Sequence, residues 1–225
     1  MMQDDYLIVG LTGSIGAGKS VVAQFFRDSG IPVLSADAIA KELMADDPTL
    51  RSGIIALLGE ESYGSEGLDR RYIADRVFGD EELLAALNAL VHPHTIAEQG
   101  RRAAELIGDG AQIVVCEAAL IYETDGEGRF DYVVVVDAPE KVRYERAAAR
   151  DGSSVEEIER RDRMQYPAAE KVRRADFVIR NDGDLDALRR NSELVITLLR
   201  ALPPRHHVDL LDEQDAEQNR NGADE

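Results

Sequence analysis

The sequence predicts an α/β fold: a five-stranded parallel sheet with helices on both faces, a helical insertion and a helical hairpin. Three observations predict it. Five short apolar runs, Tyr6–Val9, Ile31–Leu34, Ile113–Cys116, Tyr132–Val136 and Asp176–Ile179, alternate with stretches of helical periodicity. Ile113–Cys116 is apolar at every position, the mark of a central strand buried on both faces. Between the first run and the first helix lies a glycine-rich turn, Gly13-Ser14-Ile15-Gly16-Ala17-Gly18-Lys19-Ser20.

That turn reads Gly-x-x-x-x-Gly-Lys-Ser in the strand-to-helix setting that gives the pattern meaning. Glycines let successive backbone N–H groups turn inward around a phosphate, because no Cβ blocks the approach. The following helix begins near Gly18 and carries Val21, Val22, Phe25 and Phe26 at helical spacing. Its unpaired N–H groups and positive dipole end favour an anion. Lys19 is then a mobile charge for the outer phosphates, and the Ser20 hydroxyl a ligand for Mg²⁺. Residues 13–21 are therefore the candidate nucleotide site, and the expected ligand is a nucleoside triphosphate.

After Ser29-Gly30 stops the first helix, the second strand ends in Ser35-Ala36-Asp37, and Ala38–Met44 returns to helix. Open α/β sheets place their chemistry at such strand ends. Asp37 can face an acceptor there, or cap the helix that follows. Both readings stand on sequence alone. Residues 48–108 read as mostly helical without a strand signal; Leu83, Leu84, Leu87, Leu90 and Val91 share a face, and Pro93 is placed to open the next helix. Arg70, Arg71, His92 and His94 are the ligand candidates of this insertion.

The third strand ends in Glu117, an acid placed to hold Mg²⁺ through water, and the fourth in Asp137, its rival. Arg143, Arg146 and Arg150 share a helix face, and Arg160, Arg161 and Arg163 follow the Asp151-Gly152-Ser153 break. In a phosphoryl-transfer enzyme such a hairpin is a lid whose guanidinium groups neutralise charge on the moving phosphoryl. Glu145, Glu156, Glu157 and Glu159 make a solvated helix the alternative. The last helix spans about Asp184–Leu202, before Pro203-Pro204.

The net charge of −18 sits unevenly: residues 143–174 are slightly basic and the rest strongly acidic. An acidic body argues against nucleic acid as partner. No apolar run reaches the roughly eighteen residues of a membrane span, and the one cysteine, Cys116, lies in an apolar strand. A cytoplasmic protein, monomeric or a small homo-oligomer, is expected. The expected organisation is one domain over 1–204, with core 5–47, 109–142 and 175–202, insertion 48–108 and lid 143–174. A disordered acidic tail is expected over 205–225, including an adjacent pair, His206-His207.

These features together describe a P-loop kinase, and the details resemble the dephospho-CoA kinase family over about Leu7–Leu202. The telling pieces are Leu11–Ser20, Ala36-Asp37-x-Ile39-Ala40, Leu87–Pro93 and Leu120-Ile121-Tyr122-Glu123. Arg150-Asp151-Gly152, Gln165 ahead of Glu170-Lys171, and Ala175-Asp176-x-Val178-Ile179-x-Asn181 complete them. The resemblance implies ATP as donor, with Mg²⁺, and dephospho-CoA as acceptor. It makes Asp37 the base at the acceptor hydroxyl and sets His92 and the loop of Leu120, Tyr122 and Glu123 against the acceptor. The motif and position readings add Lys19, Arg146 and Arg150 as catalytic residues, Arg70 and Arg161 as acceptor contacts, and Ser20 and Glu117 at the metal. Ser35 and Ala119 depart from the family's usual Asp and Pro. A kinase for another acceptor, such as a nucleoside or shikimate, would share the loop and lid but not these other pieces. A GTPase would need Asn-Lys-x-Asp, which is absent, and a nucleotide sensor would lack a base.

Overall fold

The computed structural model describes residues 6–65, 67–77 and 79–205. The strands are β1 (Leu7–Thr12), β2 (Val33–Ser35), β3 (Tyr63–Gly64), β4 (Gly67–Leu68), β5 (Ile113–Glu117), β6 (Tyr132–Asp137) and β7 (Phe177–Arg180). The helices are α1 (Lys19–Asp28), α2 (Ala36–Asp46), α3 (Pro48–Leu58), α4 (Arg70–Val77), α5 (Glu81–Gly108), α6 (Glu140–Asp151), α7 (Val155–Arg163), α8 (Ala168–Arg174) and α9 (Leu185–Leu199). Five strands form one sheet, as expected, and their order is β2-β5-β1-β6-β7. The chain forms two compact units, one of residues 35–102 and one of the residues on either side.

β1 is central, and all six of its residues are buried. It runs parallel to β5, with Leu11 opposite Glu117, and to β6, with Thr12 opposite Val135. Side chains alternate between faces, so Leu7, Val9 and Leu11 join Val22, Phe25 and Phe26 of α1 and Leu188, Val195 and Leu199 of α9. Ile8 points the other way, into a cluster with Cys116, Ile121, Tyr122, Val133 and Val135. Each large apolar side chain buried there stabilises the fold by about 1.5–3 kcal/mol. The sheet's two faces are thus both covered, which is why its central strands read as continuous apolar runs.

The unit of residues 35–102 has its own core, where Leu50, Ile54 and Leu58 of α3 meet Ile73, Leu87 and Val91. Three expectations change here. The helix after β2 begins at Ala36 with Ser35 in the N-cap position, so Asp37 lies in its first turn and is not its cap. A two-stranded ribbon, β3 against β4, interrupts the helices; strands of two residues are too short to show alternation. Pro93 opens no helix but sits inside the continuous α5. Its ring removes the backbone donor that Ala89 O would use in an unbroken helix; separately, the His94 ring meets Leu90 O at 3.0 Å and the Thr95 hydroxyl donates to Val91 O at 2.9 Å.

At the far end, Arg205 is fastened rather than loose. Its N–H donates to Asp131 Oδ1 at 2.5 Å, its guanidinium pairs with Asp176, and it lies 4.1 Å over the Tyr132 ring. Residues 206–225, with the His206-His207 pair, lie outside the described residues.

Candidate active site

The turn between β1 and α1 is a cradle with hard walls. Gly16 has φ 75° and Gly18 φ 102°, in the left-handed region that side chains rarely adopt. A Cβ on Gly16 would lie 2.0 Å from Arg143 O, and one on Gly18 2.3 Å from Asn181 Nδ2. On Gly13 it would meet Val136 O at 2.3 Å. Glycine is demanded here by packing as much as by dihedral angle. No side chain caps α1, because Gly18 occupies the N-cap position and has none to offer. The positive end of the helix dipole, with no side-chain cap on it, thereby favours an anion. Lys19 Nζ donates to Gly13 O at 2.8 Å, which lays the ammonium across the mouth of the loop. Ser20 follows at an exposed position in the first turn of α1.

Two residues outside the motif hold this cradle. Asn181, at the end of β7, donates from Nδ2 to Ala17 O at 2.8 Å and from its backbone N–H to Asp137 O at 2.7 Å. Its carbonyl accepts from the Arg146 guanidinium at 3.2 Å, so one residue fixes the loop and seats a lid arginine. Arg143 is only 2% exposed; it donates to Ile15 O at 3.1 Å and forms two bonds to the Asp162 carboxylate, at 2.8 and 3.1 Å. Burial works against its charge, and the Asp162 hydrogen bonds and charge outweigh this, so its pKa is raised. Helical spacing put Arg143 on a face with Arg146 and Arg150. That spacing could not reveal Asp162 waiting on another helix.

The other hairpin arginines are distributed differently. Arg150 and Arg161 both pair with Asp151, at 2.7 and 2.8 Å. The Arg150 hydrogen bond, with help from Arg161, holds the Asp151 carboxyl down to about 2. Arg163 pairs with Glu159, the helix-surface arrangement that the glutamates suggested. Of the two candidate metal acids, Asp137 is engaged by Arg180. Glu117 closes β5 beside Leu11, two residues before the loop begins.

The segment after β5 is tied down tightly. Ala119 O accepts from the Thr12 hydroxyl at 3.2 Å, and Glu123 Oε1 accepts from Tyr166 N–H at 2.8 Å. Tyr122 is buried, and burial raises its phenol to about 12. Its ring lies 4.8 Å from the Arg174 guanidinium. Leu120 is half-buried between these anchors. In the 35–102 unit, Asp37 is exposed in the first turn of α2, Arg70 is exposed at the start of α4, and His92 is half-buried in α5. Burial lowers the His92 pKa.

The loop, Lys19, Ser20, Glu117, Arg146 and Asn181 therefore belong to one unit, gathered at the C-terminal end of its sheet. The residues missed by sequence reasoning as supports, Asn181 and Arg143, carried a faint signal: an Asn closing the last strand, and an arginine at the buried position of its helix.

Comparison with known proteins agrees with this geometry. A family model described as dephospho-CoA kinase matches residues 7–187. A dephospho-CoA kinase of Chlorobium luteolum is 39% identical over 197 residues, covering 85% of this chain and 90% of its own. The crystal structure of TT1252 from Thermus thermophilus has 38% identity and a TM-score of 0.71, over 86% of this chain and 98% of that one. A dephospho-CoA kinase from Campylobacter jejuni shares the fold at 24% identity, with a TM-score of 0.60 over 87% of this chain and 98% of that one. A glycine cradle, its lysine and its arginine hairpin, in a chain matched across most of its length, make this protein a member of the dephospho-CoA kinase family.

Proposed function

We propose that this chain transfers the γ-phosphoryl group of ATP to the ribose 3′-hydroxyl of dephospho-CoA, giving coenzyme A and ADP, the last step of coenzyme A biosynthesis. The observation that carries the reading is the walled glycine cradle with Lys19 across its mouth, in a chain of this family. Phosphoryl transfer asks little covalent chemistry of the protein; positioning and charge stabilisation do most of the work. Backbone N–H groups of residues 13–20 bind the phosphates, Lys19 neutralises the outer ones, and Arg146 and Arg150 act on charge in the transition state. Asp37 accepts the proton of the acceptor hydroxyl and orients its oxygen for attack. Arg70, His92, Leu120, Glu123 and Arg161 are assigned to the acceptor, with buried Tyr122 as a support within that loop.

The residues fit Mg²⁺: the Ser20 hydroxyl and the Glu117 carboxylate are hard oxygen donors. Among the described residues there is no cluster of three or more His, Cys, Asp or Glu, which suits an ion that keeps most of its waters. When bound, Mg²⁺ neutralises phosphate charge. The charge of −18 supports a small-molecule rather than a nucleic-acid partner. No described helix is long and apolar enough to cross a membrane, which fits a cytoplasmic enzyme, monomeric or a small homo-oligomer.

An ADP-release assay tests the assignment. Dephospho-CoA, 4′-phosphopantetheine, a nucleoside and shikimate are offered side by side, with ATP and with GTP. Turnover is expected with dephospho-CoA and ATP; faster turnover of another acceptor overturns the assignment.

A further inference from the structure

Lys171 is an anomaly in this chain. It is one of only four lysines beside 22 arginines, and it is completely buried. Lysine is rarely found so deep unless its charge is paired and its donors used. Here all three are. Nζ lies 2.7 Å from Glu123 Oε1, 3.2 Å from Ala119 O and 3.5 Å from Gln165 Oε1. Both ends of the 119–123 segment are therefore held by one ammonium projecting from α8. Ala119 O takes a second bond at 3.2 Å from the hydroxyl of Thr12, the residue that immediately precedes Gly13. A single carbonyl thus stands between Lys171 and the strand that feeds the phosphate loop. Glu123 Oε1 also accepts the Tyr166 N–H, so the same carboxylate fixes the start of the turn into α8.

A structural brace between two loops has no need of an ammonium; apolar packing of equal volume does as well or better. What a point charge with three donors adds is a fixed location for three acceptors at once. We infer that Lys171 is a positioning residue for the acceptor: through Glu123 and Ala119 it sets the 119–123 segment in register with the end of β1. This rests on the reading that the 119–123 segment faces dephospho-CoA.

The test uses the full chain with Lys171→Met and with the double variant Lys171→Met/Glu123→Gln. The single variant leaves the Glu123 carboxylate without its cationic partner and is expected to lose stability; the double variant removes that penalty and regains most of the melting temperature. The KM for dephospho-CoA should rise on the order of tenfold or more in Lys171→Met assayed well below its melting temperature, with Glu123 still in place, while the KM for ATP stays within about twofold. Amide hydrogen exchange should quicken over residues 119–126 and remain slow over the β1 residues. Lys171→Met with wild-type exchange and a wild-type acceptor KM overturns the proposal, as does an equal rise in both KM values; the double variant serves only to show that the stability loss comes from the uncompensated Glu123 charge. If the wild-type chain fails to phosphorylate dephospho-CoA, the functional reading falls, and the exchange result alone decides whether Lys171 positions the segment.

Discussion

At the scale of single residues, Asp37 separates chemistry from scaffolding. The N-cap position of α2 belongs to Ser35, so the Asp37 carboxylate has no capping bond to lose. Asp37→Asn keeps the shape and discards the charge and basicity. It should cost stability no more than the helix-dipole interaction of that charge and lower kcat with dephospho-CoA on the order of a hundred- to ten-thousandfold. Asp37→Ala should behave alike, with at most about 0.3–1 kcal/mol lost from the helix-dipole interaction. Turnover and melting measured on both variants check this; an active Asp37→Asn removes the base. Gly16 makes the complementary case. Its φ of 75° and the Arg143 carbonyl 2.0 Å from a would-be Cβ leave Gly16→Ala no way to keep the cradle. ATP affinity, followed by calorimetry, should fall at least tenfold. Gly16 was legible in the motif, but the reason for it was not: the wall it faces comes from a helix more than a hundred residues away.

At the scale of elements, the sequence announced strands and helices more clearly than partners. Continuous apolar runs marked β1, β5 and β6 because their neighbours bury both faces. Arginine spacing marked the hairpin. It did not distinguish Arg143, spent on Asp162, from Arg146, seated on the Asn181 carbonyl. Arg146 makes the better catalytic test, because Arg150 also serves the Asp151 network. Arg146→Ala should lower kcat on the order of a hundredfold with little change in melting, as steady-state kinetics can show. Pro93 misled because its sequence signature, a helix start, does not exclude an interior site, where it costs one backbone donor in the run of α5. Its ring is exposed, so Pro93→Ala gives up little packing and restores a donor within α5. The melting temperature should rise, by the equivalent of about 1 kcal/mol or more. A fall would mean that the ring serves the insertion in some other way.

At the scale of the whole molecule, three lowered groups, His92, Glu98 and Asp151, all withdraw stability as pH falls. His92 has a folded-state pKa below its ordinary 6.5, so the unfolded chain takes up the proton first and stability declines as pH falls through that value. Glu98, held down to about 2 by hydrogen bonds and charge from Arg101 and Arg102, and Asp151, also about 2, contribute stability that is fully present above their ordinary pKa values near 4. That stability is lost between there and about 2. Melting measured against pH should therefore fall in two stages, a shallow one near 6 that His92→Gln abolishes and a steeper one below 4.5 that Asp151→Asn reduces. The central position of β1 carries a cost of a different kind, in time. Its six buried residues are synthesised about a hundred residues before their partners, Ile113–Glu117 and Tyr132–Val135. At about 5–20 residues per second, an apolar hexapeptide waits on the order of ten seconds for the strands on either side of it. During that interval its apolar side chains have no partner strands to cover them, so the demand for shielding arises long before the chain has a nucleotide to bind.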